Sequence, residues 1–182
     1  MMEIVQTGDP VLRKVARTMS VDEIRSPATQ QLIVQMQETM RAAPGVGLAA
    51  PQIGESLQLA VIEDSIEYLM GMSAEQLAAQ QRSPVEFHVI INPKLTLLED
   101  PTVEFFEGCL SVEGFGAIVP RAGSVRVECL NERAEPITIT AHGWYARILQ
   151  HEIDHLNGTL YIDRMRTRSF TTVENAERFG RG

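Results

Sequence analysis

The segment Gln150-His151-Glu152-Ile153-Asp154-His155-Leu156 constrains this chain more than any other, because its chemistry needs a helix. Residues four apart share a helix face, so the rings of His151 and His155 can reach one metal ion. Glu152 lies about 100° further round, near enough to touch a metal-bound water without being a ligand. From about His142 to Leu156 there is no proline, and the one glycine sits near the start. Ile148, His151, Glu152 and His155 hold the i, i+3, i+4, i+7 positions of one face. Leu149, Ile153 and Leu156 form the adjoining apolar stripe that would seat the helix in a core, and Asn157-Gly158 supplies its stop. The pattern suits metal-assisted hydrolysis.

Around that helix the chain reads as short alternating elements. Ser26-Pro27 marks a helix start, and Leu32, Ile33, Met36 and Met40 keep the helical period to about Arg41. A Gly/Pro-rich stretch from Pro44 to Gly54 precedes an apolar strand from Leu57 to Ile62. Ser73 and Gln76 form a capping box that opens a short helix, Ala74 to about Gln81. Phe87 to Ile91 is a further strand, which Asn92-Pro93 should stop. Val125, Val127 and Cys129 alternate with Arg126 and Glu128, which marks a half-buried strand. Ile137 and Ile139 alternate with Thr138 and Thr140 in the strand leading to the metal-site helix. The expected class is α+β, with mostly antiparallel sheets packed around a central metal-binding helix.

Bulk composition narrows the function. With 182 residues and 44% hydrophobic content, the chain is expected to form one domain with a real core. A net charge of −8 without any Lys/Arg block argues against a nucleic-acid partner. No apolar run approaches the roughly 18 residues of a membrane span. The opening Met1-Met2-Glu3-Ile4-Val5-Gln6 does not read as a signal peptide, so Cys109 and Cys129 are expected reduced and the protein cytoplasmic.

A catalytic metal of this kind usually takes three protein ligands and keeps one position for water. The candidates for the third are Cys109, Cys129, His88, His142 and a carboxylate. Cys129 shares a strand face with two valines and reads as packing, His88 lies in an apolar strand, and His142 reads as a surface or capping residue. Cys109 stands beside Gly108, where the backbone must approach something closely, yet the residues alone leave it between ligand and buried free thiol.

Three segments taken together go further. Gly45-Val46-Gly47-Leu48-Ala49-Ala50-Pro51-Gln52, Glu107-Gly108-Cys109-Leu110-Ser111 and Gln150 to Leu156 resemble, in order and spacing, the three signature motifs of the peptide deformylases. The likeness runs from Gly8-Asp9-Pro10 to about Met165, which implies a single catalytic domain over residues 1–165 and a short irregular tail over 166–182. The insertion near Ser73 and the lead-in from Gly143 to Leu149 look most like the branch shared by organelles and some bacteria.

The resemblance implies an enzyme that removes the formyl group from the N-terminal formyl-methionine of new polypeptides, releasing formate. Cys109, His151 and His155 would hold one divalent ion, natively Fe²⁺, with Zn²⁺, Ni²⁺ or Co²⁺ able to replace it. Glu152 would take a proton from the metal-bound water, while the Gln52 side chain and the Leu110 N–H would donate to the oxyanion. Gly45, Gly47 and Gly108 would let an extended peptide lie close, and Val46, Trp144 and Ile148 would line the methionine pocket. Glu107 and Arg121 look like a buried ion pair behind the site; Asp154 would orient a histidine or salt-bridge the helix. The implied partners are N-formylmethionyl nascent peptides and, through them, transient proximity to the ribosome.

Two features depart from the commonest pattern. Glu113-Gly114 stands where many relatives have Pro-Gly, and no long basic helix follows Asp163. The competing assignments are a zinc peptidase using a carboxylate downstream of His155, and a protein that keeps the metal only to hold its fold, for instance by recruiting Cys129 as well, or a non-catalytic peptide-binding relative.

Overall fold

The computed structural model describes residues 2–98 and 101–180. Two helices lead in, the short α1 (Val21–Arg25) and the longer α2 (Pro27–Ala42), followed by the strands β1 (Gly47–Ala49) and β2 (Leu59–Asp64). The insertion carries α3 (Ile66–Leu69) and α4 (Ala74–Gln80). Five strands follow: β3 (Val85–Leu97), β4 (Thr102–Gly108), β5 (Phe115–Ala122), β6 (Ser124–Leu130) and β7 (Pro136–His142). The chain then forms the long helix α5 (Gly143–Leu156), a two-residue strand β8 (Thr171–Thr172) and α6 (Val173–Phe179). One sheet has the order β1-β2-β3-β6-β7 and a smaller one β4-β5-β8, and every pairing is antiparallel.

α2 begins where the sequence places it. The Ser26 hydroxyl accepts from the Thr29 N–H at 3.2 Å, Pro27 takes the first turn, and Ile33, Met36 and Met40 bury one stripe against the larger sheet. Each such side chain, fully buried, is worth about 1.5–3 kcal/mol of transfer free energy. α5 is central: β7 runs straight into it, and Ala146, Leu149, Ile153 and Leu156 pack on the sheet side among Ala60, Ile90, Val125 and Val127. Its Gln150 amide exchanges two hydrogen bonds with the Ala122 backbone, at 3.1 and 2.9 Å, and so ties the helix to the smaller sheet.

Two local expectations change. β3 does not stop at Asn92-Pro93 but runs on to Leu97, with its register slipping between Ile91 and Lys94. Asn92 takes φ +50°, and its side chain clamps both backbone groups of Met19 at 2.9 and 2.8 Å. A proline is tolerated at such a bulge because no ladder donor is needed there. The tail over 166–182, read as irregular, contains β8 and α6; Arg181 and Gly182 lie outside the described residues. β8 is ordered by pairing Thr171 and Thr172 with Gly116 and Phe115, and Phe170 stacks on Phe115 at 5.1 Å. Those are tertiary causes that no local pattern displays.

Candidate metal centre

β4 delivers Cys109 just past its end, and α5 delivers His151 and His155 one turn apart. One ligand atom from each of the three lies within 4.8 Å of the others, and Cys109 Sγ stands 3.3 Å from His155 Nε2. A tetrahedral ion with bonds of the usual Zn–S and Zn–N length would hold its ligands about 3.3–3.8 Å apart. A thiolate and two imidazoles at this spacing therefore fit a single divalent cation. Cys129, in contrast, is buried among the apolar residues of β6, and burial pushes its thiol up to about 11. Asp163, the first carboxylate downstream of His155, pairs with Arg13 and accepts the Leu160 N–H at 2.8 Å. Among the described residues neither joins the cluster.

Behind the histidines lies a buried charge network. Glu107, on β4, accepts from Arg121 at 2.6 and 2.9 Å, from Arg147 at 2.5 Å and from His151 Nδ1 at 3.1 Å. Burial would raise its carboxyl, but the hydrogen bonds from His151 and Arg121 outweigh it and hold the group well below the usual range. With Nδ1 committed to Glu107, Nε2 of His151 is the nitrogen left for a metal. Asp154 turns away from the histidines: it accepts from Arg121 at 2.8 Å and from Arg164 at 2.6 and 2.7 Å. Glu107 is thus the histidine-orienting carboxylate, and Asp154 braces the helix. Sequence reasoning missed Arg147, although it sits one helical turn before His151 on the same face.

Glu152 is buried, its Oε2 has no partner among the described residues, and burial pushes its carboxyl up to about 7. Gly47 explains how it fits: a Cβ there would lie 2.5 Å from Glu152 Cδ, so β1 can pass the carboxylate only as glycine. Gln52 is held by its carbonyl oxygen, which accepts the Ala49 N–H at 2.9 Å. That turns its amide nitrogen toward Cys109 Sγ at 3.6 Å and Ser111 Oγ at 3.3 Å. The N-terminal segment fastens these loops together, with the Val5 N–H donating to Gln52 O at 2.9 Å and the Thr7 N–H to Ser111 O at 2.7 Å.

These residues border one cavity of about 780 Å³. Gly45, Val46, Gly47 and Gln52 line one side of it, Gly108, Cys109 and Leu110 another, and Trp144, Ile148, His151 and Glu152 a third. His155 stands behind, fully buried, and of the expected metal ligands, catalytic groups and substrate-lining residues it alone is not among those that line the cavity. His88 instead receives the Tyr145 hydroxyl at 2.9 Å, and His142 pairs with Ser124 at 2.6 Å.

An antiparallel α+β fold, with a cysteine and a helical histidine pair gathered beside a free buried carboxylate, defines the class of single-metal hydrolase scaffolds. Comparison with known proteins narrows this. The polypeptide deformylase family model matches residues 1–170, and the chain belongs to that family. It is 50% identical over 177 residues to the chloroplastic peptide deformylase 1A of Solanum lycopersicum, covering 97% of this chain and 64% of that protein. The chain therefore spans a little under two thirds of that relative's length. A peptide deformylase from Acinetobacter baumannii with Met-Ala-Ser bound superposes with a TM-score of 0.80 at 30% identity, covering 91% of this chain and 98% of that one. The Synechococcus elongatus enzyme in complex with actinonin gives 0.75 at 36% identity, covering 92% and 80%. No described helix is long and apolar enough to cross a membrane.

Proposed function

We propose that this protein removes the formyl group from N-terminal formyl-methionine of newly made polypeptides, leaving a free amine and formate. The observation that carries the reading is the meeting of Cys109, His151 and His155 beside the unpartnered carboxylate of Glu152, on the wall of a cavity large enough for a peptide end. The catalytic unit is residues 1–165, with 166–182 appended to it. The same chemistry is expected wherever formyl-methionine starts translation, and the cytoplasm, with transient proximity to the ribosome, is the setting that fits two free thiols.

Cys109 as thiolate and His151 and His155 as neutral imidazoles would hold the metal, Fe²⁺ natively, with Zn²⁺, Ni²⁺ or Co²⁺ as substitutes. When bound, the ion supplies Lewis acidity and an acidified water. Glu152 takes the proton as the water oxygen adds to the formyl carbon, and returns it to the amine nitrogen as the C–N bond breaks. The Gln52 amide and the Leu110 backbone N–H donate to the oxygen that gains charge, a contribution of about 10²–10³ in kcat for such a donor. The substrate lies extended beside β1 and the end of β4, where main-chain contacts at Gly45, Gly47 and Gly108 ignore its sequence. Selection falls on the first side chain, which enters between Val46, Trp144 and Ile148.

Formate release from formyl-Met-Ala-Ser by the Fe²⁺-loaded protein, handled without oxygen, tests this. Glu152→Ala should keep its metal and lose turnover by at least about 10²-fold; undiminished release would remove Glu152 from its role. Cys109→Ala should lose the metal, and retention of it would favour a carboxylate-ligated peptidase.

A further inference from the structure

The insertion between β2 and β3 ends against the first turn of α5. Gly143 takes φ +56°, and a Cβ there would lie 2.5 Å from Gln81 Cβ and 2.6 Å from the Gln80 carbonyl oxygen. The end of α4 therefore sits directly on the start of the helix that carries Trp144. The next residue, Arg82, donates to Asp64 at the end of β2, Nε to Oδ2 at 2.8 Å and Nη2 to Oδ1 at 2.9 Å. Both side chains are largely out of solvent, 12% and 1% exposed. The same guanidinium lies over the Trp144 ring, 4.9 Å from its centroid. A planar fork gripped at two nitrogens by a buried carboxylate cannot swing, so it offers the indole a fixed cationic plane. The other ring contacts of Trp144 are longer: Arg147 Cζ lies 5.8 Å from its centroid and Phe105 meets it edge-on at 6.1 Å, while its Nε1 is buried without a hydrogen-bond partner among the described residues. Arg82, Trp144 and Ile148 border the same cavity.

We propose that Arg82 is a positioning residue for substrate selection: anchored on Asp64, it holds the Trp144 indole as a fixed wall of the cavity. The insertion thereby sets which first side chain the enzyme admits. This rests on reading the cavity as the seat of the methionine side chain. Removing the guanidinium frees the ring to turn, which weakens the grip on methionine and lets bulkier side chains in.

Trp144 is the single tryptophan of the chain, so its fluorescence reports on the clamp without any need for catalysis. In Arg82→Ala, emission should shift and acrylamide quenching should rise, with the far-UV circular dichroism of the parent retained. KM for formyl-Met-Ala-Ser should rise about five-fold with kcat within about two-fold, as expected for one lost cation–π contact. Preference for formyl-Met-Ala-Ser over formyl-Phe-Ala-Ser should fall about ten-fold. Arg82→Lys keeps a cation but not the fork, and should lie between parent and Ala. Parent-like emission, or an unchanged Met/Phe preference in either variant, overturns the proposal; if the Ala variant does not fold, the Lys variant decides. A parent that releases no formate would sink the deformylase reading, while the fluorescence would still decide the clamp.

Discussion

In the second half of α5, His151 and Asp154 back onto the buried charges of Glu107 and Arg121, with the half-exposed Arg164 beside Asp154, whereas at its first turn Trp144 and Tyr145 meet Arg82 and His88. The first arrangement is redundant: Glu107 alone answers two arginines and a histidine, and Arg121 joins β4, β5 and α5. The second consists of single contacts from elements that reach α5 from outside, joined to the first where Arg147 Cζ lies 5.8 Å from the Trp144 ring centroid. Cation–π and neutral hydrogen-bond contacts are worth about 0.5–2 kcal/mol each, against about 3–5 kcal/mol for breaking a buried ion pair. The reacting end of the helix is therefore rigid and intolerant of change, and the end that faces the substrate side chain is adjustable.

Glu107→Ala should break this contrast most severely. It strands Arg121 and Arg147 in the interior and releases His151, so stability should fall by about 3–5 kcal/mol and metal affinity with it. Urea unfolding and metal analysis check both; a loss under about 1 kcal/mol would mean that the network is not needed. Gly47→Ala acts on chemistry rather than stability. The added methyl group would collide with Glu152, and a carboxylate moved by an ångström costs about 10²-fold in turnover. Full activity with bound metal would show that Glu152 has room to spare. At the adjustable end, Ser73→Ala removes the capping box of α4, whose two bonds measure 3.2 and 2.9 Å. Hydrogen exchange should show α4 opening about 1 kcal/mol more easily while α5 stays protected.

How much of this was legible in the sequence follows the same division. The spacing of His151, Glu152 and His155 on an apolar-striped helix, the capping of α2 and α4, and the alternation in β6 and β7 are local signals, and the structure keeps them. β4 and β5 escaped because their burial does not alternate cleanly: Glu107 and Arg121 are polar residues turned inward, made acceptable only by each other. The continuation of β3 past Pro93 depends on Asn92 reaching Met19, which lies 73 residues away. Arg147 and Arg82 went unassigned, since nothing near them in sequence announces a buried carboxylate partner.

The mildest test concerns Tyr145 and acid. His88 Nδ1–H donates to the Glu86 carbonyl at 2.8 Å, which leaves Nε2 to accept the Tyr145 hydroxyl at 2.9 Å, an arrangement that requires the neutral ring. Burial lowers the His88 pKa below its usual 6.5. A base whose folded pKa is depressed contributes stability that is complete above the unfolded value and lost as pH falls toward the folded one. Between pH 8 and pH 7 the parent and His88→Gln should therefore differ by a constant amount, set by the hydrogen bond to Tyr145. Below about pH 6.5 the parent should lose stability faster than the variant, because its unfolded state takes up a proton that the folded ring resists. Urea midpoints measured in parallel cancel the titration of the metal ligands, which both proteins share. Parallel curves down to pH 5 would mean that His88 protonates freely, and that this contact exerts no hold on the first turn of α5.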